Sequence, residues 1–257
     1  MAEEEKINTY GRKVFFVHPS TLIQNQVIEE LAQEEFEVYA ARDEMKLRRA
    51  LKNHPDAIVF ACINEGVKES VWDQWVKNIM TSPDTAGVDV GVISSGSDEE
   101  LMRKYTEEHK VHCGFTVVKS DIPGAIKQLA GILNSVNAKG RRKYIRVEMD
   151  KDNKTTVNIP LQGNFVNGLI RDISVVGFSC SFEEDPELTK HKLFGDIQIR
   201  LQTNLLKVEG IAFGSRQDGD EKVHVLLFTK RTDPSVRTRI RKYIQTTLQT
   251  RMDDELK

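Results

Sequence analysis

The sequence predicts two domains of different class: a doubly wound α/β domain over residues 12–137, then a small antiparallel β-barrel with a C-terminal helix over residues 138–257. Three observations predict this. From residue 13 to about 137, short Val-, Ile- and Phe-rich runs alternate with helical patterns. From residue 144, six or seven short strand-like stretches follow one another with turn signals between them. The formal charge divides in the same place, with −7 on residues 1–138 and +5 on residues 139–257 giving the −2 of the chain.

In the first half the expected strands are KVFFVH (13–18), FEVYA (36–40), AIVFACI (57–63), VDVGVIS (88–94) and GFTVV (114–118). They show little polar alternation, as strands buried on both faces do. Between them, residues 21–34 place Leu22, Ile23, Val27 and Leu31 on one helical face. Residues 43–53 group Leu47, Ala50 and Leu51, and residues 121–136 group Ile122, Ile126, Leu129, Ile132 and Leu133. Trp72 and Trp75 stand three apart on a further helix, either as core or, if exposed, as an interface anchor. Five βα units in succession require a parallel sheet covered on both sides.

This order and spacing resemble the response-regulator receiver domain over about residues 12–137. The resemblance implies an acid pair after the first strand and a phospho-accepting aspartate at the end of the third. Those positions read His18-Pro19 and Ala61 here. The hydroxyl after the fourth strand is kept as Ser94 and the lysine after the fifth as Lys119, with Ser120 where a proline usually follows. A hard cation such as Mg²⁺ requires oxygen ligands, so without the carboxylates neither metal binding nor phosphoryl transfer has support. The domain is expected to be a pseudo-receiver, used as a scaffold or docking surface. Ser94 then reads as a strand-end cap and Lys119 as a solvated charge.

Composition narrows the class further. Hydrophobic residues at 39% and charged residues at 30% fit a soluble globular protein. No apolar run approaches the ~20 residues of a membrane helix. The tail over residues 1–11 is acidic and lacks an apolar signal core, so a cytoplasmic location without membrane insertion is expected. Cys62, Cys113 and Cys180 are odd in number, far apart and in apolar contexts, which reads as buried, reduced thiols. His109, His112 and Cys113 lie close together, but no second cluster completes a metal site. No nucleophile–base pair is visible, and the chain is expected not to be an enzyme.

Residues 134–141, NSVNAKGR, read as a hinge, with Asn137 and Gly140 offering positive-φ positions. The strand-like stretches beyond it are YIRVEM (144–149), TTVNIPL (155–161), NGLIRDIS (167–174), GFSCSF (177–182), DIQIRLQT (196–203), KVEGIAFGS (207–215) and KVHVLLFT (222–229). Turn signals stand at Asp150-Lys151-Asp152-Asn153 and Gln217-Asp218-Gly219-Asp220. So many short strands in so short a span indicate a small barrel. Asp233-Pro234 then opens a helix whose Val236, Ile240, Tyr243, Ile244 and Leu248 form one apolar stripe, to pack on the barrel or on the first domain.

Two short motifs carry the functional reading. GRRKYIRV contains Arg142 and Arg146 at RxxxR spacing, preceded by Arg141; about 25 residues on, Asp172, Ser174 and Gly177 fit (D/N)xSxxG. Each alone is weak. In this order and separation, with RxxxR just before the first barrel strand, they resemble the PilZ domain over roughly residues 139–232, with no departure at any motif position. The resemblance implies a non-enzymatic effector in bacterial second-messenger signalling. Its ligand is cyclic di-GMP, gripped by Arg142 and Arg146 with Arg141 as a supplementary contact, and it acts through a downstream protein partner the sequence does not name.

The chemistry agrees with that implication. The ligand is a dianion with two guanines, and a guanidinium fork pairs with phosphate or with O6 and N7 of guanine. Asp172 can accept from guanine N–H groups, Ser174 can bond base or phosphate, and Gly177 lets the backbone turn or approach the ligand. Other readings remain open at this level: a degenerate adaptor that binds only protein, a phosphorylation-controlled regulator, and a nucleic-acid binder. The +5 charge is modest for the last, and the arginines cluster at the motif rather than along a groove-reading helix, so no nucleic-acid partner is expected.

Overall fold

The structure, a computed structural model, describes residues 11–149 and 155–257. All but Gly11 of the expected acidic tail, and the turn expected at Asp150–Asn153, lie outside the described residues. The chain forms two compact units. One comprises the described residues through Lys143 together with Gln249–Lys257, and the other is Tyr144–Leu248. The division thus falls at Lys143/Tyr144, a few residues beyond the change of character that the sequence shows at residue 137/138.

The first unit is built on five parallel strands, β1 (Val14–Val17), β2 (Val38–Ala41), β3 (Ile58–Cys62), β4 (Asp89–Ser94) and β5 (Phe115–Val117), in the order β2-β1-β3-β4-β5. Every residue of β1 and β3 is buried, as alternate side chains pointing to two covered faces require. Phe16 stacks on Phe60 on one face and Phe15 on Tyr39 on the other. The helical elements are α1 (Glu29–Gln33), entered through a π-helical stretch Ile23–Ile28, α2 (Glu44–Ala50), α3 (Glu69–Thr81), α4 (Glu99–Arg103) and α5 (Ile122–Ser135). Of the face expected on residues 21–34, Ile23, Val27 and Leu31 are buried, but Leu22 is 36% exposed. It lies one residue, about 100° of helical rotation, before Ile23, off the face on which Ile23, Val27 and Leu31 recur every four residues.

Trp72 and Trp75 are both buried, edge to face, with their indole N–H groups donating to the carbonyls of Glu65 and Glu44. They are core, and the interface-anchor alternative falls. The edge strand β2 is engaged by the terminal segment of this unit: the Gln249 amide accepts from Ala40 N–H and donates to Ala40 C=O, both at 2.9 Å. Both backbone groups of an edge residue are thereby paired.

Helix α5 ends in a Schellman motif. Ala138 N–H reaches Leu133 C=O at 2.9 Å, and Asn137 takes φ +53°. Gly140 is not a positive-φ residue, contrary to the expectation for the hinge. The close approach here belongs to Gly11, where a Cβ would stand 2.8 Å from both the Ala138 carbonyl oxygen and the Gly140 nitrogen.

The second unit is a closed antiparallel barrel. Its strands are β6 (Arg146–Glu148), β7 (Thr156–Leu161), β8 (Asn164–Ser174), β9 (Gly177–Phe182), β10 (Leu193–Leu201), β11 (Asn204–Asp218) and β12 (Glu221–Phe228). Six strands close the ring in the order β8-β7-β10-β11-β12-β9 and back to β8, while β6 pairs with the C-terminal half of β8. The expected turn after Gln217 is a two-residue hairpin, Gly219-Asp220, with Gly219 at φ +61°. The core gathers Val147, Val157, Ile170, Ile173, Phe178, Ile199 and Leu226. Helix α6 (Pro234–Glu255) adds Ile240 and Ile244 to it, with Val236, Tyr243 and Leu248 packed alongside, so the predicted stripe seats on the barrel. No helix of the described residues is long and apolar enough to cross a membrane.

Candidate functional site

A β-bulge decides where the site faces. The β8–β9 register shifts between Ile170 and Asp172, leaving Arg171 as the extra residue. Strict alternation from buried Ile170 would turn Asp172 and Ser174 inward. After the bulge Ile173 enters the core instead, and Asp172 and Ser174 turn away from it, both still largely covered. There Asp172 lies opposite Glu148 on β6 and Ser179 on β9, and Ser174 lies opposite Arg146 and Gly177. The second arginine of the first motif is therefore cross-strand neighbour to the serine of the second.

The Asp172 carboxylate is the centre of this face. Arg146 Nη1 donates to its Oδ1 at 3.3 Å, the Ser179 hydroxyl donates to its Oδ2, and Arg216 Nη2 on β11 approaches Oδ2 at 4.0 Å. Its side chain is only 13% exposed, so this pairing offsets the cost of a carboxylate held largely away from water. Arg146 Nε is buried and has no hydrogen-bond partner among the described residues. A buried guanidinium donor without a partner is costly unless something else meets it.

Ser174 and Gly177 build the turn between β8 and β9. The buried Ser174 hydroxyl donates to Gly177 C=O at 3.1 Å and accepts from Val176 N–H at 3.4 Å. Gly177 has no positive φ; it is required by space, since a Cβ there would stand 2.3 Å from the Leu226 carbonyl oxygen on β12. Arg237 of α6 ties the turn down, with Nη1 donating to Val175 C=O at 2.8 Å and Nη2 to Thr229 C=O at 2.6 Å. Arg141, exposed, and Arg142, half-buried, precede β6 in the segment that belongs to the first unit. The barrel by itself thus positions four of the six expected residues: Arg146, Asp172, Ser174 and Gly177.

Three contributors were not expected from sequence: Ser179, Arg216 and Arg237. Ser179 could have been found by continuing the outward alternation of GFSCSF past Gly177. Arg216 and Arg237 had no local signal, because strand pairing and helix docking bring them to the site. Cys180, one strand position beyond Ser179, turns into the core, where burial and then the Asp172 charge push its thiol well above the usual range. Burial likewise raises the free thiols of Cys62 and Cys113, the latter to about 12.

In the first unit, the position expected for the acid pair is filled by a packed imidazole. His18 Nε2 meets Glu44 Oε2 at 2.8 Å, its ring lies edge-on to Trp72 at 5.7 Å, and Gly66 closes over it. Ala61 is fully buried in β3. Ser94 is buried with its hydroxyl accepting from Gly96 N–H, and Lys119 is exposed. His109 Nε2 and Lys104 Nζ both meet Asp73 Oδ1, His112 Nδ1 meets Asp89, and among the described residues no group of three or more His, Cys, Asp or Glu could hold a metal ion.

No family model matches the chain, and no curated protein matches it. Solved structures do. The PilZ domain with c-di-GMP of YcgR from Escherichia coli is 17% identical, over 45% of this chain and 96% of that one, with a TM-score of 0.39. YcgR in complex with c-di-GMP from the same organism is 15% identical over 45% of this chain and 50% of that one, with a TM-score of 0.39. The MrkH–c-di-GMP complex of K. pneumonia is 13% identical over 46% of this chain and 57% of that one, with a TM-score of 0.41. This chain spans about half the length of these two larger proteins.

Proposed function

We propose that the chain is a cyclic di-GMP effector whose Tyr144–Leu248 unit is a PilZ-type receptor. The observation that carries this reading is the register of β6 on β8, which sets Arg146 beside Ser174 and within reach of Asp172. Two motifs distant in sequence thus meet on one barrel face. They offer a dinucleotide what it needs: a guanidinium for phosphate or for the guanine O6/N7 edge, and a carboxylate for guanine N–H donors. The unpartnered Arg146 Nε supports an anionic or acceptor-rich ligand over a purely structural ion pair. Arg142 and Arg141, a few residues upstream, complete the grip from the segment before β6. Calorimetry of the full chain should give saturable binding of cyclic di-GMP and little affinity for GTP or cyclic AMP. No heat with cyclic di-GMP at any accessible concentration would remove the reading.

The first unit, on this proposal, is a receiver-like scaffold without phosphorylation chemistry. Buried Ala61 and the His18–Glu44–Trp72 packing support it. After treatment with a small phosphodonor, mass spectrometry should find no aspartyl phosphate in residues 55–66. A labile phosphate there would overturn this role.

Output follows from the position of RxxxR, which straddles the division between the two units. A ligand gripped by Arg142 and Arg146 must order that segment against the Asp172–Gly177 face, and differential contacts in bound and free states are what shift an equilibrium. Cyclic di-GMP is expected to change the distance or angle between the units, leave each intact, and so alter partner binding. Amide exchange should slow at residues 139–147 and 172–178, with a changed small-angle scattering profile. Equal protection and an unmoved profile would make the protein a rigid receptor.

A further inference from the structure

We propose that Arg216 is a fourth arginine of the dinucleotide site, beyond Arg141, Arg142 and Arg146, set across the barrel face from Arg146 and available to the ligand without cost to the fold. The inference rests on the cyclic di-GMP reading and adds a residue that neither motif contains.

The outer face between the two arginines can be followed strand by strand. From Asp172 on β8 the cross-strand row runs through Ser179 on β9 and Val225 on β12 to Gly214 on β11. Small or slim side chains occupy it, and a Cβ on Gly214 would meet nothing within 4 Å. The row is therefore low, covered at its Asp172–Ser179 end and open at Gly214. Arg146 stands at its β6–β8 side. Arg216 stands two residues along β11 from Gly214, opposite Val223. Both guanidinium groups converge on the Asp172 carboxylate, Arg146 at 3.3 Å and Arg216 at 4.0 Å, so one ligand phosphate or guanine edge set beside that carboxylate is within reach of both.

The state of Arg216 marks it as available. Its side chain is 54% exposed, and its nearest anion is Asp172 at 4.0 Å, beyond hydrogen-bond range. An exposed pair at that distance contributes little to stability. Arg171, the bulged residue on the same face, is the contrast: its Nε donates to Ser181 at 2.8 Å and its Nη2 to Glu221. Arg171 is committed to the barrel, whereas Arg216 has its bidentate fork open. Arg146 and Arg216 also share one carboxylate, so the cluster of these three carries a net positive charge awaiting an anion.

The test is calorimetric titration of the full chain with cyclic di-GMP at two salt concentrations, for the wild type, Arg216→Ala, Arg216→Gln and Arg216→Lys, with unliganded thermal unfolding of each. Arg216→Ala and Arg216→Gln should weaken binding about tenfold or more and flatten its salt dependence, with unfolding temperatures near wild type. Arg216→Lys should recover part of the affinity, because it restores charge but not the fork. Wild-type affinity in folded Arg216→Ala or Arg216→Gln would overturn the assignment while leaving the receptor reading in place. So would an affinity loss that merely tracks a fall in unliganded stability. A wild-type chain that binds no cyclic di-GMP would remove both.

Discussion

Replacing Arg146 by Ala is expected to weaken cyclic di-GMP binding by about 1.5–3 kcal/mol, roughly ten- to hundredfold in Kd, the range for hydrogen bonds to charged groups. The argument is local. Arg146 holds one bond to Asp172 at 3.3 Å, and its buried Nε is unpartnered. A ligand oxygen that meets this nitrogen satisfies a donor the unliganded fold leaves open, so the contact is made fully only in the complex. Removing the side chain also takes the nearest cation from the largely buried Asp172, which leaves that carboxylate to the Ser179 hydroxyl and the distant Arg216. Some loss of unliganded stability should therefore accompany the loss of affinity. Arg146→Lys separates the two effects: it keeps the charge beside Asp172 but cannot bond bidentately, so stability should return further than affinity. Arg142→Ala should weaken binding within the same range. Wild-type affinity in both folded alanine variants, with the wild type itself binding, would sink the site assignment.

Several elements are legible in the amino-acid sequence alone. The strand at Gly177–Phe182 was bounded correctly from GFSCSF, because Gly177 opens it and the alternation is clean. The C-terminal stripe was readable for the same reason: 3.6 periodicity after a strong Asp-Pro start is a local signal. The site was legible as two motifs but not as a surface. Nothing in NGLIRDIS announces the bulge at Arg171, since a bulge is a property of the pairing with β9 and not of β8 alone. Without it, alternation from Ile170 would point the Asp172 and Ser174 side chains into the apolar core instead of toward Arg146 and Ser179. Arg216 and Arg237 were invisible for a related reason, because both reach the face from elements far along the chain. The misreadings at Leu22 and Gly140 are smaller in kind. Leu22 falls about 100° of rotation before Ile23, off the face on which Ile23, Val27 and Leu31 recur, and Gly140 takes no left-handed φ.

Replacing Gly177 by Ala is expected to destabilise the unliganded barrel by about 1–3 kcal/mol, lowering its unfolding midpoint by on the order of 5–20 °C. The residue's φ is not positive, so an alanine there suffers no backbone strain of its own. The cost is steric. The new methyl would stand 2.3 Å from the Leu226 carbonyl oxygen and 3.1 Å from Leu227 Cα, and both are backbone atoms that no rotamer change can move. The β12 strand must retreat from β9 where Gly177 pairs with Leu227, at the seam that closes the ring. The retreat also pulls Gly177 C=O from the Ser174 hydroxyl, loosening the turn that presents Asp172. Affinity should fall as a consequence of that displacement. Gly214→Ala is the control, because it adds the same methyl to the same outer face with nothing within 4 Å, and it should unfold close to wild type. Thermal unfolding of both variants without ligand, followed by titration with cyclic di-GMP, decides the matter. If Gly177→Ala unfolds at the wild-type temperature yet binds poorly, the glycine serves the ligand directly and the packing explanation is wrong.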